Sequence, residues 1–164
     1  MSEHREPAPW TDLSGRLSGL HHTLAIRVYF EDTDFSGVAY HASYLRWSER
    51  GRSDYLRLLG VEHAKLAEGF FTGEPCAFAV RRICADFLKP ARIDDILEVR
   101  TAAGEITKAS IVLTQAILRK GQPLFRLEAQ CVLIAASGRL LRLPAALTSL
   151  LPRGEEIGSG PVKE

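Results

Sequence analysis

"VYFEDTDFSGVAYHASYLRWSERGR", residues 28–52, is where the chain changes its period. Three carboxylates, Glu31, Asp32 and Asp34, fall within four positions, followed by Ser36-Gly37 and then His41. Upstream, "TLAIRVYF" (23–30) alternates, with Leu24, Ile26, Val28 and Phe30 on one face and Arg27, Tyr29 and Glu31 among those on the other. A period of two predicts a strand. "DTDFSG" supplies turn residues. From Ser43 to Leu59 the residues Tyr44, Trp47, Ser48, Gly51, Tyr55, Leu58 and Leu59 recur at three- and four-residue steps. Arg46, Glu49, Arg50, Arg52 and Arg57 fall mostly elsewhere, so this is a helix with one apolar stripe. Gly60 is a natural stop. Gly51 costs about 1 kcal/mol inside a helix, which implies close approach by another backbone, such as a sheet wrapped around the helix.

Downstream, "EHAKLAEG" predicts a short second helix, and four longer segments read as strands. These are "CAFAVRRICADFLK", "DILEVRTA", "KASIVLTQAILRK" and "PLFRLEAQCVLIAA". In the last, Phe125, Leu127, Ala129, Cys131 and Leu133 alternate with Arg126, Glu128 and Gln130, the pattern of a sheet with one covered face. Short Gly-containing links argue for antiparallel hairpins. The order is one strand, a long helix, then four long strands. A sheet must bury its apolar face, and one long helix is on offer to cover it. The expectation is an α+β hotdog fold: a long central helix wrapped by a curved antiparallel sheet of about five strands. Its exposed edges imply a homo-oligomer, a dimer or a dimer of dimers.

The 164 residues suit one domain, expected over 22–152, with loose tails at 1–21 and 153–164. Lys and Arg number 21 against 20 Asp and Glu, so no global field points to nucleic acid or a membrane surface. No signal peptide is legible at the N-terminus and no run is long enough to span a membrane. Cys76, Cys84 and Cys131 sit in apolar runs without zinc spacing, so they read as buried free thiols suited to a reducing compartment, and the expected location is cytoplasmic. No nucleophile elbow, P-loop, dinucleotide fingerprint or metal-ligand spacing is present, and no cofactor is expected. His21-His22 reads as a tail pair and His63 as isolated.

A helix start exposes unpaired N–H groups and about half a positive charge. A carboxylate placed there is stabilised and a carbonyl pointed there is polarised. One loop can therefore hold a nucleophile or general base, for which Asp34 is the candidate, beside a donor, the N–H of His41 or Ala42. Gly37 would let a ligand approach the backbone. Glu31 and Asp32 read as solvated or salt-bridged. By itself, an Asp ahead of a helix is more often a cap than a catalyst.

The whole 28–52 stretch closely resembles the signature of the hotdog acyl-CoA thioesterases of the 4-hydroxybenzoyl-CoA thioesterase and YbgC type. "LKPARIDD" and "GRLLRLPAAL" are similar to that family's later blocks, so the likeness runs over roughly residues 22–150. The resemblance implies hydrolysis of an acyl-CoA thioester, with Asp34 catalytic and the His41 backbone amide polarising the thioester carbonyl. It implies an acyl site shaped by Tyr29 or Phe30 and a loop of Gly37, Val38 and Tyr40 against the substrate. Lys89 and Arg92 are candidates for the phosphates of coenzyme A. Phe35-Ser36 departs from the small residues that relatives often carry after the Asp, which bears on the acyl group accepted. The alternative is a non-catalytic acyl-CoA-binding protein, a sensor or scaffold; an anionic group against the thioester argues against it, since binding alone has no use for one.

Overall fold

The computed structural model describes residues 13–153. The elements run β1 (Arg16–Ser18), β2 (His21–Arg27), α1 (His41–Leu58), α2 (His63–Ala67), β3 (Cys76–Phe87), β4 (Ile96–Ile106), β5 (Ser110–Arg119), β6 (Gln122–Ala135), β7 (Leu140–Leu141) and α3 (Ala145–Thr148). The sheet is antiparallel in the order β1-β2-β4-β5-β6-β3, with β7 on β6. It has seven strands rather than about five. The extra two, β1 and β7, span three and two residues, too few to show a period. Residues 13–21, read from sequence as tail, carry β1 and the start of β2. The rest of the expected N-terminal tail, and all but residue 153 of the C-terminal one, lie outside the described residues.

The apolar stripe of α1 faces the sheet. Trp47 and Tyr55 are fully buried against strand residues that include Val99, Ile111, Leu113, Phe125, Ala129 and Leu133. The expected close approach at Gly51 is there: a Cβ added to it would lie 2.6 Å from Val99 Cγ1. Beside it, Gln115 Nε2 donates to Ser48 O (2.8 Å) and Thr101 Oγ1 (2.9 Å), while its Oε1 accepts from Arg52 Nη1 (2.8 Å). One glutamine thus ties the middle of the helix to β4 and β5.

Three local readings need correction. The first strand stops at Arg27, and Phe30 lies in a 3-10 turn, exposed rather than core-facing. Asp32 causes this: its Oδ2 accepts from Tyr29 N (2.8 Å) and pulls the chain out of the extended conformation. Cys84 is exposed, because β3 is an edge strand whose side chains from Val80 to Phe87 are uncovered, whereas Cys76 and Cys131 are buried.

The third is His22, fully buried rather than half of a tail pair. Its Nε2 lies 2.7 Å from Asp54 Oδ2, which also accepts from Gly15 N (2.7 Å), while Arg57 grips Oδ1. Asp54 thereby clamps the β1–β2 hairpin onto α1. Burial pushes the Asp54 carboxyl up, but the bonds from Arg57, His22 and Gly15 outweigh it and hold the group below the usual carboxylate range. The unfolded chain then takes up the proton first as pH falls. This stability is complete above the ordinary carboxylate pKa of about 4 and is lost below it. Asp54→Ala leaves a buried imidazole and a backbone N–H without their acceptor, at a cost of about 2–3 kcal/mol. Thermal melts at pH 7 should show that loss, and the gap between wild type and variant should narrow towards pH 3. A gap that stays constant with pH would contradict the clamp.

Candidate functional site

The loop from Val28 to the start of α1 is held from both sides by backbone bonds. Val28 N donates to Asp95 O (2.9 Å) and Asp94 N to Val28 O (3.0 Å), which fixes the incoming arm to the turn before β4. Ala39 N donates to Ala91 O (2.8 Å), fixing the outgoing arm to the same turn. Thr33 and Ala39 bridge each other, and Asp34 N donates to Val38 O (3.0 Å). Tyr40 N donates to Asp32 O (2.8 Å), as does Ser43 Oγ (3.0 Å). Asp32 is therefore buried and structural, neither solvated nor salt-bridged: its side chain ends the strand and its carbonyl anchors the helix start.

These bonds leave Asp34 at the exposed tip of the loop that leads into the helix. Ser36 N donates to Asp34 Oδ1 (2.8 Å), and the Ser36 hydroxyl donates to the same oxygen. Those two bonds hold the Asp34 carboxyl below its usual range, against a small opposing push from desolvation. Asp34 is an anion throughout the physiological range. Gly37 has φ +77°, a backbone conformation that suits glycine, and open space where a Cβ would sit.

Helix α1 begins at His41, and its N-cap residue Tyr40 contributes no side-chain cap. Ser43 N is satisfied by Tyr40 O, but among the described residues the amides of His41 and Ala42 meet no acceptor. No acidic residue occupies the first turn. The positive end of the helix is left uncapped at the end of the loop that carries the Asp34 anion. The exposed His41 ring lies 4.2 Å from the Tyr40 ring and 6.5 Å from that of Phe87. Tyr44 Oη, one turn on, accepts from Ala91 N (2.8 Å) and pins the helix to the turn that carries Arg92.

Of the other sequence candidates, Tyr29 is 60% exposed and Tyr40 46%, both on this loop. Val38 is half-buried and bridges to Arg92, so the structure brings Arg92 alongside the Asp34 loop. The Arg92 side chain makes no hydrogen bond or ion pair to a described residue. Lys89 is placed differently, with Nζ 3.3 Å from Gln122 Oε1 at the start of β6. Arg119 is spoken for by Asp95 (2.6 Å). The bonds from Ser36 to Asp34 were not anticipated from the sequence; a serine two after an Asp in a turn was the available signal. Among the described residues no cluster of three His, Cys, Asp or Glu could hold a metal ion, and no helix is long and apolar enough to cross a membrane.

Known proteins resemble this chain in sequence and fold. The acyl-CoA thioester hydrolase YbgC of Escherichia coli is 38% identical over 74% of this chain and 86% of its own. A crystal structure of a probable thioesterase from Bartonella henselae superposes with a TM-score of 0.73 at 40% identity, covering 76% of this chain and 99% of that one. The 4-hydroxybenzoyl-CoA thioesterase of a Pseudomonas species, at 22% identity and a TM-score of 0.73, covers 80% of this chain and 99% of its own and shares the hotdog fold. The model of the thioesterase-like superfamily matches residues 28–151, which takes in both the Asp34 loop and the sheet. A match of that length, together with a relative more than a third identical over most of its own chain, decides the matter: this chain belongs to the thioesterase-like superfamily.

Proposed function

We propose that the protein hydrolyses acyl-CoA thioesters to the free acid and coenzyme A. The observation that carries this reading is an ionised carboxylate, Asp34, in a loop held by backbone bonds that ends in an uncapped helix start. The thioester carbonyl docks on the His41 N–H. Asp34 either attacks the carbonyl carbon, giving a mixed anhydride, or takes a proton from the attacking water. The His41 ring orients the loop through its aromatic neighbours. Tyr29, Gly37, Val38 and Tyr40 line the approach, with the exposed Phe35 at its tip. Arg92, adjacent and without an ion pair to any described residue, is the better placed cation for a phosphate of coenzyme A; Lys89 is the weaker one.

The working unit in this reading is a homo-oligomer in the cytoplasm. Among the described residues β3 pairs with β6 on one edge only, and Val80, Ile83 and Phe87 are each at least 40% exposed along it. A second copy pairing there covers an edge that would otherwise invite aggregation. Sedimentation velocity should show a dimer or a dimer of dimers; a monomer at micromolar concentration would contradict this.

Free-thiol release from a panel running from acetyl-CoA through myristoyl-CoA, with benzoyl- and 4-hydroxybenzoyl-CoA, tests the activity. Turnover of some members is expected, and their ranking assigns the acyl group. Binding of the esters without turnover of any would instead make the protein an acyl-CoA sensor or scaffold.

A further inference from the structure

The chain carries a serine at a position in the Asp34 turn where nothing in the fold requires one. The turn closes through Asp34 N to Val38 O (3.0 Å), Gly37 N to Asp34 O (3.0 Å), the Thr33–Ala39 bridge and the Ser36 N–H on Asp34 Oδ1 (2.8 Å), none of which uses the Ser36 hydroxyl. Ser36 is exposed. Its hydroxyl has one described partner, Asp34 Oδ1, which already accepts the Ser36 N–H. Oδ2 accepts no hydrogen bond from any described residue.

We propose that Ser36 is a positioning residue for thioester cleavage: by engaging Oδ1 with both its N–H and its hydroxyl, it holds the Asp34 carboxylate in one orientation and leaves Oδ2 as the acting oxygen. This rests on the thioesterase reading given above. An exposed aspartate otherwise samples several rotamers, and ordering it at the moment of reaction slows the chemical step.

The chemistry gives Ser36 a part in both half-reactions. An Oδ2 lone pair forms a C–O bond to the acyl carbon, the C–S bond breaks, and the pair leaves on the coenzyme A thiolate, which takes a proton from solvent. In the mixed anhydride Oδ1 is the aspartyl carbonyl oxygen, still facing two donors. Water adds at the acyl carbon and gives its proton to solvent. The anhydride C–O bond then breaks and its pair returns to Asp34, where the Ser36 donors stabilise the departing carboxylate. If Asp34 instead takes a proton from water, Oδ2 is again the oxygen left free to do so.

The lowered Asp34 carboxyl agrees with this placement. The titratable and charged groups on the surrounding segments are Tyr29, Glu31 and Asp32 on the incoming arm, Tyr40 and His41 at the exit, Arg92 across the Val38 bridge, and Asp94 and Asp95 on the turn that holds Val28. The shift of Asp34 comes from Ser36 and not from these.

The test combines kinetics of wild type, Ser36→Ala, Ser36→Thr and Asp34→Asn with 13C NMR titration of the Asp34 carboxyl in the three proteins that keep it. A hydrogen bond to a carboxylate is lost in Ser36→Ala, so kcat should fall by roughly tenfold with KM little changed. The Asp34 carboxyl should titrate at higher pH in that variant, and Ser36→Thr, which keeps the hydroxyl, should restore both. A loss of turnover from mere disturbance of the turn would leave the titration where it was and overturn the proposal. If Ser36→Ala matches wild type in kcat and in titration while Asp34→Asn is inactive, Ser36 has no such role and the thioesterase reading stands. If Asp34→Asn keeps full turnover, the reading of Asp34 falls and the role of Ser36 with it.

Discussion

Gly51→Val is expected to remove most of the folding stability of this protein. The added Cβ alone would sit 2.6 Å from Val99 Cγ1 and 3.1 Å from both Gln115 Nε2 and Thr101 Oγ1. Val99 is β-branched and fully buried, so it has little rotamer freedom with which to retreat. β4 and β5 cannot withdraw either, because each is hydrogen-bonded on both edges, to β2 and β5 and to β4 and β6. The helix must then lift. Overpacking of this kind costs about 1–3 kcal/mol by itself. Lifting also breaks the Gln115 bonds to Ser48 O and Arg52, and leaves a nearly buried guanidinium without its acceptor. Each orphaned buried group adds about 1–3 kcal/mol. The sum is on the order of 5 kcal/mol, comparable with the whole stability of a domain this size. Gly51→Ala should cost less, since it adds one methyl group and recovers about 1 kcal/mol of helix propensity. Urea unfolding followed by circular dichroism gives both values. A Gly51→Val protein within 1–2 kcal/mol of wild type, small on the scale of core substitutions, would mean that the helix does not rest on β4 and β5 as described.

Gly51 shows what kind of information a sequence carries plainly. A glycine inside an otherwise amphipathic helix has a local cost, so its presence signals a contact before that contact is known. The helix stripe and the alternation in β6 are local in the same way. His22 is the opposite case. Its partner Asp54 is 32 positions away, and a histidine beside another histidine near the N-terminus looks the same whether it is solvated or buried. Cys84 misleads for a related reason: an apolar run describes a strand, but not whether that strand lies under the helix or beyond it at an edge. At the site, the order Asp34, Gly37, His41 was legible because it is contiguous. The work of Asp32 was not, because the clue to it is a carbonyl bonded to Tyr40 N and Ser43 Oγ, and every residue has a carbonyl. Arg92 and Lys89 were equal candidates in sequence. The pairing of Val38 with Arg92, and the turn of Lys89 towards Gln122, separate them.

The other large effect belongs to the chemistry, and three substitutions separate its parts. Asp34→Asn keeps the size of the side chain and an oxygen to accept from Ser36, so the turn survives. What disappears is the anion that attacks or takes a proton, and turnover should fall by at least about a hundredfold. Binding of the acyl-CoA should persist. The second part is a backbone group, which ordinary substitution does not remove. His41 offers an exception because it is the first residue of α1. Proline is tolerated there, since its missing N–H has no partner within the helix. Tyr40 before it has φ −63° and ψ 139°, a conformation that a following proline accepts. His41→Pro therefore deletes the amide while the helix keeps its bonds. A single donor of this type is worth on the order of 3 kcal/mol, or roughly a hundredfold in kcat. His41→Ala is the control: it removes the ring and keeps the amide, and it should remain within a few-fold of wild type if the ring only orients the loop. Equal losses in His41→Ala and His41→Pro would move the function from the amide to the imidazole, and full turnover in Asp34→Asn would remove the carboxylate from the mechanism altogether.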